Sequence, residues 1–521
     1  MIGVLYPYAA REQGALVTAA FARSVTREQV RPIARAHLAS VETLVVVDLP
    51  DAWGTEVVMW LRGGARKLVI FGRVADHLVE HLQWKPLAWP ESLARASRSE
   101  SAPSYASRES AATVVYGERA ALLQAQGWRR PFERFDFTDE WNNLGYGAIR
   151  AAEPLWGLSD ALDTGWGEIA CVEIDGQRVA SYAALTDIEH GSVLWFNRSV
   201  GPADSFEWRA VERFLSYHRA GELPCHPVLT EVPWGYDAAV TSRLDCDEDV
   251  ESARPLWDAY RAEKVPFSLA VHTGNLADAR NHAILAELAE AGGAVLSHSA
   301  THAGNWGGSY EAALHEALES AQRLRQITGK PVRYAVSPFH QSPPYALHAL
   351  ADAGYSGCVG GLIRNDPEFV LARSGALAHM ADGFIGHTQQ CMLHGFSMLA
   401  EGDALAVFKQ AFDLAYETST LFGYLDHPFS PRYAYGWNDE AARIAAHRGL
   451  IAHIRAKADN PLFLNEDDAL DFLAARAQAR VVEENGGFFG VAPRLPAGAP
   501  ALRLTVEYRG RAMPLETGAL Q

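Results

Sequence analysis

The chain has 521 residues, 48% of them hydrophobic and 21% charged, and a formal net charge of −17. Those proportions fit folded protein of two to four domains, and the acidity argues against gripping nucleic acid or anionic lipid through the overall field. Five cysteines, Cys171, Cys225, Cys246, Cys358 and Cys391, with no Cys-x-x-Cys spacing, argue against a disulfide framework and a thiolate zinc finger.

The start, MIGVLYPYAAREQG, has no basic region followed by an apolar core, and no run of about 18 apolar residues occurs anywhere. The expectation is a cytoplasmic protein without an export signal or an integral membrane segment. LVVVDLP (44–50) and KLVIFG (67–72) are β-branched apolar runs that suit buried parallel strands, with the helical spacing of TEVVMWLRGG between them. The Ser-, Arg- and Ala-rich stretch 93–112 reads as a linker or excursion. ATVVYG (112–117), IACVEIDGQRVASYAAL (169–185) and SVLWFNRSVG (192–201) read as further strands, and 206–218 as a helix. Residues 1–235 thus predict an open α/β domain, flavodoxin- or amidotransferase-like. No G-x-G-x-x-G follows its first strand and no cysteine precedes Cys171, so neither a dinucleotide nor thiol chemistry is expected and the region reads as non-catalytic.

The rhythm changes near 236. Strands are predicted at AAVTSRLDCDED, FSLAVHTG (267–274), AVLSHSATH (294–302), RYAVSPF (333–339), YSGCVGG and LFGYLDHP (421–428). Helices are predicted at 276–291, 309–329, PPYALHALADAG and 403–420. Such alternation implies a parallel sheet or barrel, with chemistry at the C-terminal ends of the strands. The tail 483–521, rich in glycine, proline and short strand runs, predicts a small β-rich appendage.

Three polar clusters fall where strands should end. Asp245 and Asp247 lie two apart, so an extended backbone points both to one side. His298 and His302 lie four apart, a spacing that lets one helical turn present both to one metal. His427 closes a late strand in Leu425-Asp426-His427-Pro428, with His340, His387 and His394 as further rim candidates. Two imidazoles plus a carboxylate form an open site for Zn2+ or a similar divalent ion. Trp306, Tyr310, Phe339, Tyr345, Phe429, Tyr433, Tyr435 and Trp437 follow these motifs closely, and aromatic faces suit a sugar ring.

The three clusters, in this order, resemble those of the polysaccharide deacetylases, the NodB-homology fold of carbohydrate esterase family 4. His298-Ser299-Ala300-Thr301-His302 matches the family's His-Ser/Thr-x-x-His motif, and Leu425-Asp426-His427 its Leu-x-His motif. The Asp-Asp motif is split here by Cys246. In that respect it is similar to the Pel exopolysaccharide deacetylases, which likewise place an α/β domain before the deacetylase. The resemblance implies a distorted (β/α) deacetylase barrel over 236–482. It implies a divalent metal, Zn2+ in the first place, on Asp247, His298 and His302, with Asp245 as general base and His427 as general acid. Arg243 and Arg333 are the candidates to orient the base, and Arg333, Phe339, Trp306 and Tyr435 the candidates to touch substrate. The implied reaction is removal of acetyl from an amino sugar of a polysaccharide or its precursor, with polysaccharide-biosynthesis partners. Two alternatives stay open on the sequence. One is hydrolysis of another non-peptide C–N bond, in a formamide, ureide or imide. The other is a catalytically impaired glycan- or partner-binding protein, motivated by the split Asp-Asp motif.

Overall fold

The computed structural model describes residues 1–92, 112–132, 155–360, 372–380, 383–388, 391–430, 432–484, 486–493 and 501–520. The linker expected at 93–112 lies outside them, apart from Ala112, which opens a strand. Among the described residues, no helix is long and apolar enough to cross a membrane.

Among the described residues the first sheet has nine strands. Val30–Pro32, Ile2–Leu5, Thr43–Val47, Arg66–Phe71 and Gly191–Phe196 lie side by side and parallel. Thr43–Val47 is buried on both faces, as a β-branched run in a covered parallel sheet must be. The sheet then continues antiparallel through Gln177–Ile188, Glu168–Ile174, Ala112–Tyr116 and Arg129–Pro131. The expected long strand at 169–185 is therefore two. Asp175 and Gly176, at φ 51° and 74°, fold it back as the two-residue hairpin turn that Asp-Gly favours.

The second sheet carries the alternation predicted after 236. Its order is Gly375–Ala376, Ile385–His387, Gly357–Val359, Tyr334–Val336, Ala294–Ser297, Ser268–Val271, Ala238–Cys246, Phe422–Asp426 and Cys391–Met392. Every neighbouring pair is parallel except that of Gly375–Ala376. Pro461–Leu464 pairs in parallel with the first half of Ala238–Cys246. Among the described residues the hydrogen-bonded path is open at both ends, so the sheet does not close as a barrel. Helices predicted from pattern are present, and Tyr310–Thr328 has the ends its sequence signals. Ser309 caps it by accepting from the Ala312 N–H, and Gly329 ends it at φ 71°.

The tail forms strands but does not stand apart. Thr505–Tyr508 pairs with Val228–Leu229, and the Arg509 N–H donates to the Ser216 carbonyl at 2.8 Å. One continuous core runs from Ile2 and Phe21 through Val240 to Phe422 and Leu450, so packing crosses residue 236 without a break.

Candidate functional site

Parallel strands deliver their C-terminal ends to one rim. Ala238–Cys246 brings Asp245 and Asp247 there, Ala294–Ser297 brings His298, and Phe422–Asp426 brings His427. Strand periodicity puts Arg243 and Asp245 on one face. Arg243 donates from Nε to Asp245 Oδ1 at 2.6 Å and from Nη2 to Oδ2 at 3.1 Å, both residues being buried. Burial alone would raise the Asp245 carboxyl, but the guanidinium and nearby imidazoles outweigh it and hold the group at about 2. Arg243, not Arg333, is thus the residue that orients it.

His298 and His302 do not share a helical turn. Ser299 and His302 sit at φ 69° and 57°, in a loop whose left-handed residues cost roughly 1 kcal/mol or more each. The loop is tied down accordingly. Ser299 Oγ accepts from the His302 N–H at 2.9 Å. Glu316, from helix Tyr310–Thr328, accepts from the N–H groups of Ala300 and Thr301 and from the Thr301 hydroxyl. The outcome is what the spacing promised by another route, with the two Nε2 atoms 3.0 Å apart.

Asp247 Oδ1 lies 3.5 Å from His298 Nε2 and 3.3 Å from His302 Nε2. That oxygen is buried and has no hydrogen-bond partner. His298 Nδ1 donates to the carbonyl of Val336 at 2.9 Å, which leaves a lone pair on Nε2. An orphaned carboxylate oxygen facing imidazole lone pairs is a donor set for a cation, and Asp247, His298 and His302 fit a divalent metal. His272 donates from Nε2 to the backbone carbonyl of Asp247 at 2.8 Å and steadies that residue from behind. Burial opposes charge on Asp247, yet His427, His298 and His302 hold its carboxyl well below the usual range. Burial, then His298, pushes His302 down to about 4, which favours the neutral imidazole.

His427 faces the same carboxylate, its Nε2 3.4 Å from Asp247 Oδ2. Its other nitrogen, Nδ1, is 2.8 Å from His394 Nε2. Tyr435 lies flat on the His427 ring, with centroids 4.0 Å apart and planes at 10°, and donates to Asp247 Oδ2 at 3.3 Å. Arg443 donates to the His427 carbonyl at 2.7 Å. Burial lowers the His427 imidazole, against the pull of Asp247. His394, Asp426 and His427 also cluster closely enough to hold an ion. Asp426, however, already receives His447 at 2.9 Å and lies 3.6 Å from Arg443, so its charge is answered.

The substrate candidates divide. Phe339 is exposed beside His302, with ring centroids 4.6 Å apart, and Tyr433 is exposed near Tyr435. Tyr435 is at the site as described. Trp306 is buried in the core and donates to Ser337 Oγ, so it offers no face to a sugar. Arg333 precedes strand Tyr334–Val336, at the end away from the rim, and pairs with Asp471 at 2.5 Å. His340 and His387 are buried, and burial takes His387 to about 3. His272, Glu316, Arg443 and His447 join the site without a motif to mark them. Their signal is contact across elements, which spacing does not carry.

No curated protein matches the chain. Solved structures that resemble it do so at low identity. They include a family 4 acetyl xylan esterase from Clostridium thermocellum in complex with cobalt (12% identity, TM-score 0.31, 44% of this chain and 89% of that one), the catalytic domain of a peptidoglycan N-acetylglucosamine deacetylase from Eubacterium rectale (14%, 0.30, 45% and 91%) and a chitin deacetylase from the fungus Colletotrichum lindemuthianum (13%, 0.32, 45% and 87%). Residues 245–358, which carry Asp245, Asp247, His298 and His302, match the family model described as polysaccharide deacetylase.

Proposed function

We propose that the chain is a metal-dependent amide hydrolase that removes acetyl from an amino sugar of a polysaccharide or its precursor, with residues 1–235 as a non-catalytic support. The observation that carries this reading is Asp247 Oδ1, buried without a hydrogen-bond partner and facing the Nε2 atoms of His298 and His302. A divalent cation such as Zn2+ held by these three residues supplies the Lewis acidity that amide hydrolysis needs.

The chain's own residues do the rest. Asp245, kept ionised by Arg243, is the base that takes the proton from the attacking water. His427 gives a proton to the departing amine nitrogen, without which the amine is a poor leaving group. Its lowered pKa makes the imidazolium the readier donor. The contact of His427 Nδ1 with His394 sets the ring so that Nε2 faces the reacting centre. Phe339 and Tyr433 offer apolar faces at the rim for a pyranose.

The test is acetate release from N-acetylated amino sugars and their oligomers by protein loaded with Zn2+ or Co2+. The expected result is release that chelator abolishes and metal restores. Metal-loaded protein that releases no acetate, but cleaves a formamide or a ureide, would replace this reading with the other C–N hydrolase.

A further inference from the structure

Behind the base lies a buried charge that no motif marks. Arg243 spends Nε and Nη2 on Asp245. Its third nitrogen, Nη1, lies 3.6 Å from Oε1 of Glu466, and both side chains are fully buried. Neither oxygen of Glu466, nor Arg243 Nη1, has a hydrogen-bond partner.

The register explains the meeting. Strand Pro461–Leu464 pairs in parallel with Ala238–Thr241, and Leu464 lies beside Thr241. Two residues further along come Arg243, still in its strand, and Glu466, the first residue of the helix that follows Leu464. Glu466 opens helix Glu466–Gln478, where an acidic residue could serve the helix alone. That helix has other provision, because Asn465 caps it by accepting from the Asp468 N–H, and Asp467 and Asp468 share its first turn. A buried carboxylate is costly unless a cation answers it, and here the cation is the one that also holds Asp245.

We propose that Glu466 is a positioning residue for the reaction, holding the Arg243 guanidinium against Asp245 and so fixing the base toward the reacting atoms. The proposal rests on the deacetylase reading for its catalytic consequence. The proposal stands on the 3.6 Å contact of Arg243 Nη1 with Glu466 Oε1; burial pushes the Glu466 carboxyl up to about 7, and Arg243 pulls it the other way. Burial works against charge on Arg243 too, yet Asp245 and Glu466 lift the guanidinium above its usual value.

The experiment compares Glu466→Gln with Asp468→Asn in the full, metal-loaded chain. Asp468→Asn removes a helix-terminal charge without touching Arg243. The expected result for Glu466→Gln is a fall in kcat of about 10- to 100-fold, with KM and bound metal within about twofold of wild type, while Asp468→Asn keeps wild-type kcat. A Glu466→Gln variant with wild-type kcat, or an equal loss in Asp468→Asn, overturns the proposal. Should Glu466→Gln not fold, Glu466→Asp is read instead, with the same expected direction and the same overturning result.

A second readout needs no substrate. The Arg243 Nε–H, followed by NMR in 15N-arginine-labelled protein, should exchange with solvent about tenfold faster in Glu466→Gln. If wild-type protein releases no acetate, the deacetylase reading fails, and the exchange rate alone judges Glu466. An unchanged rate overturns the proposal.

Discussion

Two carboxylates with buried oxygens, Glu212 and Asp247, are answered in opposite ways. Glu212, on helix Trp208–Ser216, lies where the first sheet's helices meet the segment leading into Gly375–Ala376. Its Oε1 accepts from Ser24 Oγ at 2.8 Å and Arg373 Nε at 2.9 Å, and its Oε2 from Arg373 Nη2 at 2.6 Å and Arg209 Nη1 at 3.4 Å. Both of its oxygens are met by donors. Asp247 has an oxygen that points at imidazole nitrogens and accepts nothing. Both carboxyls are held low, so low pKa does not separate them. Satisfaction does: Glu212 is a fully paired buried charge that holds elements together, whereas Asp247 keeps an oxygen open beside two imidazole nitrogens, as the proposed metal site requires.

Breaking each cluster should therefore damage different properties. The largest effect belongs to Asp247→Asn. It should cut acetate release by roughly 10⁴-fold and empty the site, as read by metal analysis of the purified protein, while the thermal midpoint of the metal-free protein stays near that of wild type. A variant that keeps both metal and activity would remove the distinction.

Glu212→Gln should do the reverse. Leaving Arg373 buried and unanswered should cost about 3 kcal/mol in denaturant unfolding, with kcat per folded, metal-loaded molecule unchanged. The same residue sets a pH dependence. Burial would raise Glu212, but Arg373 and Arg209 outweigh it and bring the carboxyl from its ordinary 4.5 to about 2. A depressed folded pKa contributes stability that is fully present above about 4.5 and is lost as pH falls toward 2. That window amounts to roughly 3 kcal/mol. Unfolding free energies measured between those limits should fall more steeply with acid in wild type than in Glu212→Gln. Equal slopes would show that the pairing contributes nothing.

Smaller effects test the rim. His394→Ala removes the partner of His427 Nδ1 and should lower kcat about 10- to 100-fold, with bound metal unchanged. Loss of metal would instead place His394 in the ligand set. Phe339→Ala should raise KM by about two- to tenfold and leave kcat alone, because the exposed ring packs beside His302 and carries no proton. A fall in kcat with unchanged KM would deny it a part in binding.

Much of the site is legible in the linear chain. The strand runs begin where their pattern predicts but stop a few residues short of the predicted ends, and Asp245, Asp247, His298, His302 and His427 meet at one rim. Two aspartates at period two and a motif of two histidines four apart are local patterns, and local patterns can be read along a chain. Arg243 is a candidate only through the family resemblance, and its place two residues before Asp245 on one strand is what separates it from Arg333 in the structure. Arg333 and Trp306 fail as site residues because nearness in sequence to a motif says nothing of depth or of which end of a strand a residue occupies.

Composition, periodicity and motif spacing by themselves determined the α/β class, the run of strands and the five residues of the proposed machinery. The Asp175-Gly176 turn is missed by that reading, although Asp-Gly is a local hairpin signal. Tertiary structure alone decided that the second sheet stays open among the described residues, that the tail pairs with Val228–Leu229, and that Glu466 reaches Arg243 from more than 200 residues away in sequence. The physical reason is range. Backbone period and turn chemistry act over a few residues, whereas the company a buried charge keeps depends on which strands become neighbours, and that is settled only when the whole core packs.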